Sequence, residues 1–234
     1  DYAFVINDEA LNIIRGRGWR KSSLALPLGV NPDQFQKLDE SLLRRKLGLT
    51  GFTVGFIGKL EKQKGVIGLI EAVSGLTESV HLLLIGDGLQ KEEIRDKAKK
   101  GGISHRVVMI DLIKHRQLPS YLNCMDVLVL PSITLPHLKE QFGRVLIEAM
   151  SCEVPVIGSS SGEIPNVIGD AGLVFPEGDH EALKKRITEI IDNPVRAKEF
   201  ARRGRERAKE KYSWSVIARK QIEVYNKLAA VPLI

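Results

Sequence analysis

Cysteine is scarce: Cys124 and Cys152 are the only two in 234 residues. Two thiols so placed make neither a disulfide framework nor a metal-binding spacing. Both sit in apolar stretches, as reduced core residues do, and their scarcity fits a reducing, cytoplasmic setting. Histidine offers no metal motif either. The five histidines, His81, His105, His115, His137 and His180, are scattered, and no D-x-D occurs. We therefore expect no metal. No apolar run approaches the roughly 18–20 residues that cross a bilayer, and no signal-peptide pattern is present. Aromatic residues make up only 6 %, and the most basic stretch has few of them, which withholds the stacking surfaces that nucleic-acid binding uses. Asp1 stands first in place of Met, and Ala3-Phe4-Val5-Ile6 already reads as a buried strand. Upstream sequence is expected for that reason.

What is present is ordinary for a soluble globular protein: 43 % hydrophobic and 27 % charged residues. The length suits one full domain with a short appended piece. The net charge is +6, and its placement says more than its size. Between Lys184 and Lys211, eleven Lys or Arg face five Asp or Glu, a surplus equal to that of the whole chain. A solvated helical face accounts for this, and so does attraction to anionic lipid or a phosphorylated acceptor at the inner face of a membrane.

Short β-branched runs alternate with helical patterns along most of the chain. Strands are expected at Ala3–Ile6, Leu24–Leu26, Thr53–Ile57, His81–Ile85, Arg106–Ile110, Val127–Leu130, Val154–Ile157 and Leu173–Phe175. Helical periodicity fills the intervals, including Val66–Leu76, Gln90–Lys99, Gly143–Ser151 and His180–Ile191. Such alternation predicts an α/β fold, a Rossmann-like doubly wound parallel sheet with helices on both faces. From Pro194 onward the pattern is helical only, and Ser213 is an expected N-cap for a last helix running to about Ala229. The predicted division is a domain over 1–212 and a C-terminal helical segment over 213–234.

In such sheets ligands bind beyond the carboxyl ends of the strands, and four segments there carry chemistry. The first is Gly58-Lys59-Leu60-Glu61-Lys62-Gln63-Lys64-Gly65. Two lysines five residues apart can close on one anion, and a helix starting near Gly65 would add its positive end. A diphosphate suits it; an exposed Lys-rich turn reads the same way. The second, Gly86-Asp87-Gly88, opens like a dinucleotide fingerprint, but Lys91 occupies the third glycine position, and a tight turn explains it as well. The third is Glu140-Gln141-Phe142-Gly143-Arg144-Val145-Leu146-Ile147-Glu148. If wholly helical, its two carboxylates would be about 12 Å apart, beyond the roughly 5–9.5 Å of an acid and base working on one bond. They suit hydroxyls at two ends of an extended ligand, with an anion between them at the amides of Phe142–Val145. Two surface glutamates on an amphipathic helix are the alternative. The fourth, Gly158-Ser159-Ser160-Ser161-Gly162, matches a serine nucleophile elbow. Asp179 and His180 follow directly on one another, too close to supply a separate acid and base, and a hydroxyl-rich ligand loop is the better reading.

Taken in order, these segments resemble glycosyltransferase family 4, of the GT-B fold. The marks are Leu26-Pro27-Leu28-Gly29-Val30-Asn31 with Phe35, Gly58-Lys59-Leu60 with Lys64-Gly65, and Leu84-Ile85-Gly86-Asp87-Gly88. They continue with Met125–Ser132, the Glu140…Glu148 pair, Gly162–Ile168 and Gly172–Pro176. The resemblance runs from about Asp1 to Ala229 and implies one half of a GT-B fold, the C-terminal, donor-binding half. It implies that Lys59 and Lys64 contact the diphosphate of a nucleotide-diphosphate sugar, UDP- or GDP-linked, with Gly58 beside them. Glu140 would hold hydroxyls of the transferred sugar, the backbone of Phe142, Gly143, Arg144 and Val145 would meet the phosphates, and Glu148 would bind the ribose diol. Met109–Ile113, with Asp111, would lie beside the base. The implied reaction retains anomeric configuration in polysaccharide or glycolipid synthesis, on a sugar, lipid-linked or polysaccharide acceptor and with no cofactor. Acceptor residues would lie in a missing N-terminal domain, so the fragment alone is expected to bind donor without turnover.

Four positions depart from the family pattern. Lys59 stands where Arg is usual, exchanging a bidentate grip for a point charge. Asp111 and Glu153 stand where glycine is usual, and Asn31 replaces a common Asp. The readings that compete with a transferase are a non-catalytic sugar-nucleotide-binding module, a GT-B epimerase or phosphorylase, and a nicotinamide dehydrogenase, the last disfavoured at Lys91.

Overall fold

The computed structural model describes residues 1–230. Its strands are β1 (Ala3–Val5), β2 (Ser23–Ala25), β3 (Phe52–Ile57), β4 (Val80–Ile85), β5 (Val107–Ile110), β6 (Val127–Leu130), β7 (Val156–Ser159) and β8 (Gly172–Phe175). The last six form one parallel sheet in the order β5-β4-β3-β6-β7-β8. The unbroken apolar runs Leu82–Ile85 and Val127–Leu130 are buried throughout, as strands covered on both faces must be.

The helices divide into two layers. On one face α3 (Val66–Ser74) packs against α4 (Lys91–Lys100) and α8 (His180–Asp192). On the other, α6 (Arg144–Ser151) packs against α5 (Leu118–Leu122), α7 (Ile164–Ile168) and α9 (Pro194–Tyr212). Together with α1 (Asp8–Gly16), α2 (Ser41–Lys46) and α10 (Trp214–Ala229) they complete the described chain. This is the doubly wound architecture expected. The predicted strands are all present, with the seventh displaced two residues to Val156–Ser159.

One difference concerns the first two strands. They do not join the main sheet; they pair with each other in parallel as a separate ribbon, Phe4 opposite Leu24. Periodicity shows that a segment is a strand but not which sheet receives it. The route out of β2 decides here. Val30 donates to Tyr212 O (2.8 Å) and accepts from Trp214 N (3.1 Å), which anchors the chain at the α9–α10 junction before β3 begins. Ser213 is the N-cap of α10, its hydroxyl accepting from Val216 N, and the helix ends at Ala229 as expected. Residues 231–234 of the predicted C-terminal segment lie outside the described residues.

The basic stretch is largely committed within the fold. Arg205 donates to the carbonyls of Phe35 and Ser151, and Arg207 to those of Val167 and Asn166. Arg196, Arg202 and Arg203 pair with glutamates on α8 and α9. Arg196, Arg205 and Arg207 thus staple α9 to neighbouring elements, whereas Arg202 and Arg203 pair along α9 itself.

Candidate functional site

Strand register brings the ends of the sheet into line: Ile57 opposite Ile85, Ile85 opposite Ile110, and Leu130 opposite Gly158. The order reverses between β3 and β6, since β4 and β5 lie to one side of β3 and β6 to β8 to the other. A crevice opens at such a switch point, and the β3–α3 and β6–α6 loops meet there.

Lys64 Nζ donates to Glu140 Oε2 at 2.6 Å, and Ser132 Oγ donates to the same oxygen at 2.8 Å. The side chains of Lys64 and Glu140 are only 21 % and 12 % exposed, so this pair is not one of the solvent-screened kind that contributes little. Two glycines make the approach possible. Gly65 has φ +64°, and a Cβ there would sit 2.0 Å from Pro131 O. Gly162 has φ +54°, and its Cβ would sit 2.0 Å from the carbonyl oxygen of Glu140. Any other residue at Gly65 would push the β3–α3 loop off the β6–α6 loop, and any other at Gly162 would push the β7–α7 loop off Glu140.

Beyond Glu140 the chain runs through Gln141 and Phe142 before α6 starts at Arg144. Phe142 is buried and packs edge-on against Tyr212, ring centroids 5.7 Å apart. Its side chain belongs to the core, and only its backbone faces the loop. Gly143 is the N-cap, and no side chain caps the helix. The amides of the first turn, those of Arg144 and Val145 among them, lack side-chain acceptors and point positive charge outward. Helix begins only at Arg144, so the span from Glu140 to Glu148 is not the straight rise of one helix.

Glu148 lies in α6 with 6 % of its side chain exposed, and it accepts from His115 Nε2 at 3.0 Å on Oε1. His115 opens a 3-10 turn after β5, and its ring packs against Phe35 with centroids 5.3 Å apart. It also lines an apolar cavity of about 290 Å³ together with Gly58, Lys59, Ile85, Gly86, Ile113 and Leu118. His115 was no candidate from the sequence. A lone histidine in a loop gives no signal, and only the fold brings it to Glu148, 33 residues away.

Two expected residues take no part in the Lys64–Glu140 and His115–Glu148 contacts, although Lys59 borders the cavity that His115 lines. Lys59 is 73 % exposed, and its nearest carboxylate is Glu61 at 3.7 Å; Lys64 alone of the two lysines reaches Glu140. Asp111 is 75 % exposed and paired with Lys91, which also approaches Asp87 at 3.5 Å. The hydrogen bond from Lys91 holds the Asp111 carboxyl below the usual carboxylate range and raises the Lys91 ammonium in turn. Thus the residue that breaks the glycine fingerprint joins the loops after β4 and β5. The serine elbow makes no triad: Ser160 Oγ accepts from Glu177 N, and His180 lies 3.6 Å from Glu71. A separate cavity of about 300 Å³ between α3 and α8, lined by Lys62, Gly65, Glu71, Phe175 and His180, takes in no expected site residue. Among the described residues no three His, Cys, Asp or Glu side chains converge as a metal site would need, and no helix is long and apolar enough to cross a membrane.

Known proteins share sequence and fold with this chain. The model of the family described as glycosyl transferases group 1 matches residues 39–210. An alpha-maltose-1-phosphate synthase of Mycolicibacterium smegmatis is 32 % identical over 211 residues, covering 82 % of this chain and 52 % of its own length. A phosphatidyl-myo-inositol mannosyltransferase of Mycobacterium leprae is 30 % identical over 224 residues, covering 91 % and 57 %. The chain thus spans about half the length of these curated relatives. Among solved structures, Anabaena Alr3699/HepE in complex with UDP-glucose superposes with a TM-score of 0.86 at 21 % identity, over 96 % of this chain and 63 % of that one. The sheet and its helical layers are those of GT-B glycosyltransferases.

Proposed function

The chain belongs to the glycosyl transferases group 1 family, and from that premise we propose that it is the C-terminal, donor-binding half of a retaining glycosyltransferase. The observation that carries this reading is the Lys64–Glu140–Ser132 cluster at the switch point, with the uncapped start of α6 and Glu148 beyond it. One ligand with hydroxyls at both ends and two negative charges between them matches that sequence of groups.

In this reading the diphosphate of a nucleotide sugar lies at the first turn of α6, against the amides of Phe142–Val145. Lys64 supplies a charge, and Lys59 swings in from solvent to supply a second. Glu140 accepts from hydroxyls of the transferred sugar, and Glu148 from the ribose. The base enters the apolar cavity beside Gly86 and Ile113, with Asp111 two residues before Ile113 in the same loop. An acceptor hydroxyl attacks the anomeric carbon from the face that the diphosphate leaves. The carbon–oxygen bond to the diphosphate breaks, and the hydroxyl proton passes to the departing phosphate oxygen. Configuration is retained and no protein base is needed. Lys64 and the helix end stabilise charge building on the leaving group, the type of contribution that is worth roughly 10²–10³ in rate per donor. No metal is required.

The acceptor, a sugar, lipid-linked glycan or polysaccharide, is held by an N-terminal domain in the cleft opposite, so the fragment binds donor and does not turn over. The nucleotide sugar in the Anabaena complex supports a similar donor here. A setting at the inner face of a membrane is supported by the lysines of the 184–211 stretch more than by Arg205 and Arg207, which donate to backbone carbonyls within the fold. Calorimetric titration with UDP, GDP and ADP, repeated with Glu148→Ala, tests the reading. Saturable binding weakened by the substitution supports it; no binding to any of the three removes it.

A further inference from the structure

Glu148 is a buried carboxylate, and a buried charged or polar oxygen is costly unless hydrogen-bonded. Among the described residues His115 is its one side-chain partner. A carboxylate only accepts, so the imidazole Nε2–H is the donor at 3.0 Å. The contact takes Oε1 and leaves Oε2 unclaimed. The ring is held from its other side by Phe35. Phe35 is itself buried, and its carbonyl accepts from Ser151 Oγ and Arg205. More than half of the His115 side chain is exposed, yet its donor nitrogen points inward at the one carboxylate of α6. The same ring forms part of the wall of the apolar cavity beyond β3 and β4. One side chain thus both borders an apolar cavity and donates to the Glu148 carboxylate.

We propose that His115 is the positioning residue for the nucleoside end of the site: it fixes Glu148 through Oε1 so that Oε2 accepts from a ribose hydroxyl, and thereby sets the preference for ribonucleotide over deoxyribonucleotide. This rests on the reading of Glu148 as the ribose-binding residue. A packing role alone predicts something different, because loss of His115 would then lower stability or weaken all nucleotides equally.

The test uses the present chain and whichever of UDP, GDP and ADP binds it most tightly, beside the 2′-deoxy form of that nucleotide. Affinities are measured for the wild type, Glu148→Ala, His115→Ala and His115→Gln, with Tm recorded for each. The wild type is expected to prefer the ribonucleotide by about tenfold, the scale of one well-made hydrogen bond. Glu148→Ala abolishes that preference. His115→Ala loses most of it: the ratio of the two affinities falls toward one, beyond any loss that the ring's removal from the cavity wall imposes on both forms alike. His115→Gln, which keeps an N–H donor, recovers at least half. Should His115→Ala fail to fold, the glutamine variant carries the comparison, and its failure to retain the preference overturns the proposal. A preference that survives His115→Ala also overturns it, as does equal weakening of both nucleotides. If the wild type shows no ribose preference, or Glu148→Ala leaves it unchanged, the ribose assignment of Glu148 itself is wrong, and the two failures are told apart.

Discussion

Lys64 Nζ and Glu140 Oε2 stand 2.6 Å apart although 76 residues separate them in sequence, and most of both side chains is withdrawn from water. The contact joins the β3–α3 loop to the β6–α6 loop across the point where strand order reverses.

Removing one member of that pair leaves the other poorly compensated. Lys64→Met should lower stability by about 1–3 kcal/mol, since Glu140 keeps only Ser132 as a side-chain donor. Lys64→Met combined with Glu140→Gln should recover most of the loss. Urea unfolding of the four proteins gives the coupling, which should be about 1 kcal/mol or more. Strictly additive effects would mean that the pair forms no real interaction.

Glu153 is the only non-glycine residue with positive φ among the described residues, at +58°. It follows Cys152, the C-cap of α6, where a left-handed residue closes helices and glycine is favoured. A side chain there costs about 1–2 kcal/mol, partly offset by the greater chain entropy of glycine. Its carboxylate reaches Lys37 at 3.6 Å, a mostly exposed contact that offsets little of the strain. Glu153→Gly should therefore stabilise the protein by about 0.5–1 kcal/mol, read as a higher urea midpoint at unchanged slope. A lower midpoint would show that the backbone is not strained there.

Burial raises both thiols, Cys124 to about 11 and Cys152 to about 12. In the native protein neither ionises at pH 8, and a thiolate is the reactive form. Labelling by a disulfide reagent at pH 8 should be slow until denaturant is added, then take up two equivalents. The folded state keeps protons that the unfolded chain releases above about pH 8.5. The associated stability is therefore present below that pH and lost as pH rises toward 11–12. Unfolding midpoints should fall between pH 8 and pH 10, and less steeply in the Cys124→Ala, Cys152→Ala variant. Fast labelling of the native protein would contradict the burial of both groups.

Much of the sheet was readable because its strands are unbroken apolar runs set off by helical periodicity, a local signal. The ribbon of β1 and β2 escaped because its place depends on how Val30 docks at Tyr212 and Trp214, a contact between residues more than 180 positions apart. Glu140 and Lys64 were legible as neighbours of glycines after strands. Lys59 looked equivalent to Lys64 by spacing, yet the turn at Lys62–Lys64 points one lysine in and leaves the other in solvent. Lys91 appeared only as a broken fingerprint, whereas it links Asp87 with Asp111. His115 had no pattern around it, and its partner lies on an element reached only by tertiary folding.

The central claim is that one nucleotide-diphosphate ligand spans Glu140 to Glu148 across the start of α6. The most direct measurement is a crystal structure of this chain with the nucleoside diphosphate that binds it most tightly. The account predicts diphosphate density at the amides of Gly143–Val145 within reach of Lys64, and ribose hydroxyls on Glu148. Density for the nucleotide elsewhere, such as the α3–α8 cavity beside His180, with Glu148 still bonded only to His115, would contradict it.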